Sequence, residues 1–175
     1  MNLISIDIGL KHMAYSLFTN SEFVRSKTVN IIDSSVKKSL SLYKRYVLYI
    51  DEFINNELLS LLHNDTDRDD YIHYVLIEQQ MSRNKTMSII ESILIAMLYM
   101  HIQPFDRIRL INPRLKLAFL GNQSRMSYSQ KKRFAKNYCI DRLDIQVNTP
   151  DEADTVLQAI GFMRKKGIDY HLPDP

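Results

Sequence analysis

The chain has 175 residues, 45% hydrophobic and 25% charged, with a net charge of +3. That is the size of one domain with enough apolar material for a real core, so a single domain over 1–175 is expected. The lone Cys139 excludes an internal disulfide, and the absence of a run of about 18 apolar residues excludes a membrane-spanning helix.

In chain order, residues 2–8 read as a buried strand, followed by strands over 12–18 and 22–31, with turns at Gly9 and Asn20-Ser21. Because strand-like sequence begins at Asn2, no signal or transit peptide is read in it. From Asp33 the spacing turns helical: Leu40, Tyr43, Val47, Ile50, Ile54, Leu58 and Leu61 recur at threes and fours, up to His63-Asn64. The acidic loop Asp65 to Asp70 leads into a strand over 71–77, with Glu78 at its end. A mainly apolar helix is predicted from Asn84 to Met100, then a strand over 107–111 stopped by Asn112-Pro113. A short helix over 114–120 ends at Gly121, and a basic helix covers 127–138. The last helix opens on Thr149, Pro150 and Glu152, the pattern of an N-cap with a capping box, and closes at Gly167. No repeat or domain boundary interrupts this order, which predicts an α/β fold: a mixed central sheet flanked by helices.

Four acids stand beside apolar runs on three separate segments: Asp7 in LISIDIGL, Glu78 in YVLIEQQ, and Asp151 and Asp154 in TPDEADTVLQAIGF. A carboxylate at the end of a buried strand is costly unless paired or bound to a metal. Asp151 and Asp154, three apart, share one face at the start of the last helix, whereas Glu152 points elsewhere, toward its capping role. Each acid has an ordinary reading: Asp151 favoured by the helix dipole, Asp7 satisfied in a turn, Glu78 beside a helix cap. Their joint placement favours one site for divalent cations, because magnesium takes oxygen ligands and two ions roughly 4 Å apart can clamp a phosphodiester. The stretch Arg107 to Lys136 adds nine basic residues, Arg107, Arg109, Arg114, Lys116, Arg125, Lys131, Lys132, Arg133 and Lys136, which suit a polyanionic partner. The plain alternative is a solvated helix face.

The segments Ser5-Ile6-Asp7-Ile8-Gly9 with Lys11, Ile77-Glu78-Gln79-Gln80 with Arg83, and Asp151-Glu152-Ala153-Asp154 resemble, in that order, the RNase H-like Holliday-junction resolvases of the RuvC superfamily. Glu91-Ser92-Ile93-Leu94, Met97-Leu98-Tyr99 and the terminal EADTVLQAIGFMRKK make the chain most similar to the fungal mitochondrial branch, with the poxviral branch related. The resemblance implies a structure-selective endonuclease that resolves four-way DNA junctions by paired nicks leaving 5′-phosphate and 3′-hydroxyl ends. It implies Asp7, Glu78, Asp151 and Asp154 as ligands of two Mg²⁺ ions, with Mn²⁺ a possible substitute. Lys131 or Lys132 resembles a family lysine beside the scissile phosphate, and Lys116 is a third candidate, better read as a backbone-phosphate contact. Lys11, Gln79, Gln80, Arg83, Arg114, Lys116, Arg125, Lys131, Lys132 and Arg133 are the expected DNA contacts.

Paired nicks need two sites, hence a twofold homodimer. The helix carrying Ile89, Ile93 and Met97 is apolar over more than one face, and the family dimerises there. The likeness suggests a mitochondrial matrix enzyme, or, for a viral one, a replication site in an infected cell. The sequence departs from the family in lacking both an extra N-terminal DNA-binding segment and any Trp, with few obvious exposed aromatics in the basic block beyond Tyr128 and Phe134. Two readings compete: a nuclease of the same fold acting on RNA or RNA–DNA hybrids, and a non-catalytic DNA-binding module, which would be expected to lack one of the carboxylates. A sugar-kinase-like ATPase needs glycine-rich phosphate loops, and this chain has four glycines in all.

Overall fold

A computed structural model of the chain describes residues 1–31, 41–62, 72–81, 83–102, 104–117, 126–168 and 170. Its strands are β1 (Leu3–Ile8), β2 (His12–Thr19), β3 (Glu22–Asn30), β4 (Tyr74–Glu78) and β5 (Ile108–Ile111). They form one sheet in the order β3-β2-β1-β4-β5. β1, β2 and β3 are an antiparallel meander, whereas β4 joins β1, and β5 joins β4, in parallel. The β2–β3 turn holds Asn20 and Ser21 at φ 54° and 67°, the left-handed pair that matches the twist of a two-residue hairpin.

The helices are α1 (Leu42–Phe53), α2 (Leu59–Leu62), α3 (Lys85–Leu98), α4 (Arg114–Leu117), α5 (Tyr128–Leu143) and α6 (Pro150–Lys165). A π-turn over Ile54–Leu58 joins α1 to α2 without a break. No described helix is long and apolar enough to cross a membrane. The mixed sheet flanked by helices is the expected architecture.

Strand alternation divides the core in two. Ile4, Ile6 and Ile8 of β1, with Val75 and Ile77 of β4, face α1 and α3 and pack on Ile50, Phe53, Ile90 and Leu94. Leu3 of β1 and Leu76 of β4 face the other way, onto α5 and α6. Asp7 and Glu78 continue this second set. Ile6 pairs with Ile77, so Asp7 and Glu78, one residue further along parallel strands, leave the sheet side by side on the α6 face.

Helix α6 lies across that face and is buried without interruption from Glu152 to Met163. Small residues let neighbours close on it: a Cβ at Gly161 would stand 3.0 Å from the carbonyl oxygen of Leu115 in α4.

Several boundaries differ from expectation. The helix predicted to begin at Asp33 is described from Leu42, with the Ser41 side chain accepting from the Lys44 amide; residues 32–40 lie outside the described residues. The acidic loop at 65–70 and the Gly121 cap lie outside them too. β4 starts at Tyr74 and takes Glu78 into the strand. The basic helix runs five residues beyond 138, because Cys139 and Leu143 extend the buried stripe of Ala135 at i+4 spacing until Asp144, at φ 51°, ends it. The reciprocal capping box occurs at this helix, between Ser127 and Gln130. At α6 only half of a box forms: Thr149 accepts from the Glu152 amide, but the Glu152 carboxylate is engaged elsewhere.

Gly9 makes the β1–β2 turn possible, since a Cβ there would come within 2.6 Å of the His12 carbonyl oxygen. Both are backbone positions with little room to yield. Gly9→Ala is expected to cost about 1–3 kcal/mol, the usual penalty of forced overpacking. Urea unfolding measures it, and an unchanged midpoint would show that the turn yields freely.

Candidate active site

Three elements deliver the acids to one cleft of about 480 Å³ at the C-terminal ends of β1 and β4. Asp7 comes from β1, Glu78 from β4, and Asp151 and Asp154 from the first turns of α6. Asp154 is 6% exposed, whereas the side chain of Asp151 is the most open of the four, at 40%.

Two lysines cross-link the carboxylates. Lys116, on α4, donates to Glu78 Oε2 at 2.6 Å and to Asp154 Oδ2 at 2.9 Å. Lys132, on α5, donates to Asp151 Oδ1 and to the same Asp154 Oδ2, both at 2.7 Å, and lies 3.7 Å from Asp7 Oδ2. Asp154 is therefore the hub between two ammonium groups. Four carboxylates meet two ammoniums, so the cluster keeps a formal surplus of negative charge.

The electrostatics follow. Burial pushes Asp7 up to about 7, opposed by Lys116 and Lys132 and assisted by Glu78 and Asp154. Burial would lower both lysines, but the surrounding carboxylates, Asp154 and Asp7 foremost, outweigh it and hold them above the ordinary lysine range. Both lysines stay charged.

Among the described residues, no three carboxylate, imidazole or thiolate donors are already gathered as a metal-binding group. The acids are bridged by ammonium instead, through the oxygens a hard cation would use. The donor set, carboxylate oxygen throughout, fits magnesium or manganese chemistry.

The lysines are sorted by this geometry. Lys132 points into the acids, while Lys131, next in sequence and also lining the cleft, makes no ion pair with them. Lys116 was expected as a third candidate for the lysine beside the scissile phosphate, better read as a contact to the DNA backbone. It sits inside the acidic cluster, because Asn112-Pro113 turns the chain at the end of β5 and α4 carries the side chain back over Glu78. Sequence reasoning also missed His12, which lines the cleft with Nδ1 2.5 Å from Asn30 Oδ1. Its only sequence signal was its position just past the Gly9 turn.

Among the other expected contacts, Lys11, Gln79, Arg83, Arg114 and Arg133 are exposed, and Arg125 lies outside the described residues. Gln80 lines the cleft, its backbone N–H donating to Glu91 Oε2 at 2.5 Å and its side chain to the Glu78 carbonyl at 3.1 Å. Tyr128 is 76% exposed at the rim, with the Lys132 ammonium 5.8 Å from its ring centre. Ile89, Ile93 and Met97 of α3 are half-buried, and Ile93 and Met97 pack against the core on one side.

No protein-family model and no curated protein sequence matches the chain. Solved structures do. A fowlpox virus resolvase in complex with substrate Holliday-junction DNA is similar over 95% of this chain and 99% of its own, at 13% identity and TM-score 0.61. Thermus thermophilus RuvC, in complex with a Holliday-junction substrate, is similar over 95% and 97%, at 12% identity and TM-score 0.57. A further T. thermophilus RuvC structure covers the same shares at TM-score 0.56. The fold is that of the Holliday-junction resolvases. In this resolvase fold the shared length is nearly complete at each end of the comparison, so the expected RNase H-like architecture holds from β1 to α6.

Two outcomes check the electrostatics. Because the folded state raises Asp7 from 3.8 to about 7, it binds a proton more tightly than the unfolded chain. The stability this gives is full below about pH 4 and lost as the pH rises through 7. In chelated buffer Asp7→Asn is thus expected to exceed the parent in stability at pH 8, with the gain vanishing by pH 4. Equal unfolding midpoints at both pH values would show that Asp7 is not strained. Lys116→Ala leaves Glu78 and Asp154 without their shared cation, expected to cost about 3 kcal/mol in metal-free buffer. Added Mn²⁺ should then raise its melting temperature more than the parent's; an equal rise would mean that ammonium and metal do not share these oxygens.

Proposed function

We propose that the chain is a divalent-metal-dependent endonuclease that resolves four-way DNA junctions. The observation that carries this reading is the convergence of Asp7, Glu78, Asp151 and Asp154 around Lys116 and Lys132 in one cleft. That this occurs in a fold shared with two resolvases bound to junction DNA supports the substrate.

Asp7, Glu78, Asp151 and Asp154 would hold two Mg²⁺ ions, or Mn²⁺ in their place. Bound there, such ions supply Lewis-acid stabilisation of the phosphate and lower the pKa of a water nucleophile. The products are a 5′-phosphate and a 3′-hydroxyl.

The chain's own residues do the rest. The acids alone would repel a phosphodiester, so the cleft accepts one only when cations offset its surplus negative charge. Lys132 stays protonated and lies beside Asp7, Asp151 and Asp154, where its charge can stabilise the phosphorane-like transition state. Lys116 faces Glu78 and Asp154 from the other side and can do the same. The exposed Lys11, Arg83, Arg114 and Arg133 give the flanking backbone its counter-charge, and Gln79 and Gln80 face the strands beside Glu78. Two symmetric nicks require two such clefts, which a twofold homodimer joined along α3 at Ile89, Ile93 and Met97 would supply.

The deciding experiment offers a mobile four-way junction, a linear duplex and an RNA–DNA hybrid with Mg²⁺. Paired symmetric nicks on the junction alone are expected, absent with EDTA. Asp7→Asn, Glu78→Gln, Asp151→Asn and Asp154→Asn should each remove cleavage while junction binding survives. Lys132→Ala should lower the rate about a hundredfold with little change in binding, the scale for losing one charge-stabilising donor. Lys131→Ala should stay near the parent rate. Cleavage of the hybrid alone would move the function to RNA removal, and no cleavage of any substrate would sink the nuclease reading.

A further inference from the structure

Glu152 sits between two of the cleft acids in sequence but faces away from them, and is 2% exposed. Among the described residues it makes no ion pair. Its Oε2 accepts from Ser26 Oγ at 2.9 Å and from the Asn148 backbone N–H at 3.0 Å, and its Oε1 accepts from Thr28 Oγ1 at 3.2 Å. Thr28 Oγ1 also lies 2.6 Å from Thr149 Oγ1, which accepts from the Glu152 amide at 3.1 Å. A buried carboxylate thus ties the N-terminus of α6 to edge strand β3 entirely through neutral donors.

A buried charge held by neutral donors is a costly way to cap a helix, since the Thr149 hydroxyl and Pro150 already satisfy that end. Its position gives it another use. Asp151 immediately precedes Glu152 and Asp154 lies two residues on, in the same two turns, and no strand fixes them as β1 and β4 fix Asp7 and Glu78. Ser26 and Thr28 pair with Ser16 and Ala14 of β2, and Ala14 in turn pairs with Asp7. The tie from Glu152 to β3 therefore registers α6 against the same sheet that carries Asp7.

Resting on the divalent-metal reading above, we infer that Glu152 is a positioning residue: by its reach to Ser26, Thr28 and Asn148, it sets where Asp151 and Asp154 present their oxygens to the metal site. It touches neither metal nor substrate. What matters is the length of the side chain rather than its charge. A glutamine in its place keeps the reach: its oxygen can accept from Ser26 and Asn148, and its amide can donate to Thr28 Oγ1. An aspartate keeps the charge and falls one methylene short.

The test compares Glu152→Gln with Glu152→Asp, both mild enough to fold. Mn²⁺ affinity is read by electron paramagnetic resonance, and amide hydrogen exchange is followed over residues 150–154. Glu152→Asp is expected to weaken Mn²⁺ binding about tenfold, the low end of the scale for disturbing the groups that orient metal ligands. It should also speed exchange in the first turn of α6, while Glu152→Gln stays within about threefold of the parent in affinity. The opposite order, with Glu152→Gln weak and Glu152→Asp intact, would make the charge decisive and overturn the inference. Faster exchange with unchanged affinity would reduce Glu152 to a structural bracket, and no change in either would remove it altogether. If the parent itself binds no Mn²⁺, the nuclease reading fails separately and positioning for metal fails with it; the exchange data then report only whether the tie exists.

Discussion

Everything in this molecule is arranged around one electrostatic problem: four carboxylates gathered where a sheet, two long helices and a short one meet. Like charges in a partly desolvated cleft repel strongly, and burial, the largest cause, pushes Asp7 up to about 7 against the pull of Lys116 and Lys132. Two ammonium groups keep the arrangement folded. Asp154 is the point of greatest dependence, because both ammoniums use its Oδ2. Losing either lysine would leave buried acids facing each other, which costs more than an intact pair contributes.

Sheet topology puts the problem where it can be useful. β1 runs antiparallel to β2 on one side and parallel to β4 on the other, so the connections after β1 and β4 diverge at their C-terminal ends. In open α/β sheets a crevice forms at such a change of direction, and ligands lie outside the carboxyl ends of the strands. The parallel register places Asp7 beside Glu78, and the antiparallel meander supplies the edge to which α6 is tied. That helix is held along its length, with Val156, Leu157, Ile160 and Met163 fully enclosed between sheet and helices. Its first two turns carry Asp151 and the buried Asp154 into the charge cluster.

Much of this was legible in the sequence, for identifiable reasons. The strand ends at Asp7 and Glu78 were visible because an acid closing an apolar run has few ordinary explanations. Asp151 and Asp154 were visible because a Thr-Pro start fixes helical phase. Lys116 was legible only as a third candidate, because its contacts depend on how the chain turns after Asn112-Pro113, and a lysine in a basic stretch carries no mark of the acids it will meet. Which of Lys131 and Lys132 points into the acids depends on helix rotation, about 100° per residue, which only packing fixes. Glu152 was misread for a related reason. The Thr-x-x-Glu spacing suits a capping box, and only the position of β3, more than a hundred residues earlier in the chain, shows that its carboxylate has other donors.

The charge pattern also separates two tasks that a single basic surface would merge. The chain is net positive, yet the cleft itself is net negative, with its basic residues either locked among the acids or placed at the rim. Under the proposed function, attraction for a polyanion would reside in exposed side chains such as Arg114 and Arg133, while the centre would stay repulsive without divalent cations. A DNA backbone would then be held near the cleft without its phosphate being drawn into reactive contact. Under the proposed function, binding would follow the rim and its response to monovalent salt, and chemistry would follow the occupancy of the acids. Lys132 belongs to both regimes. It pairs with Asp151 and Asp154 in this structure, and under the proposed function its ammonium would also stand at the edge of the site where a phosphate would arrive.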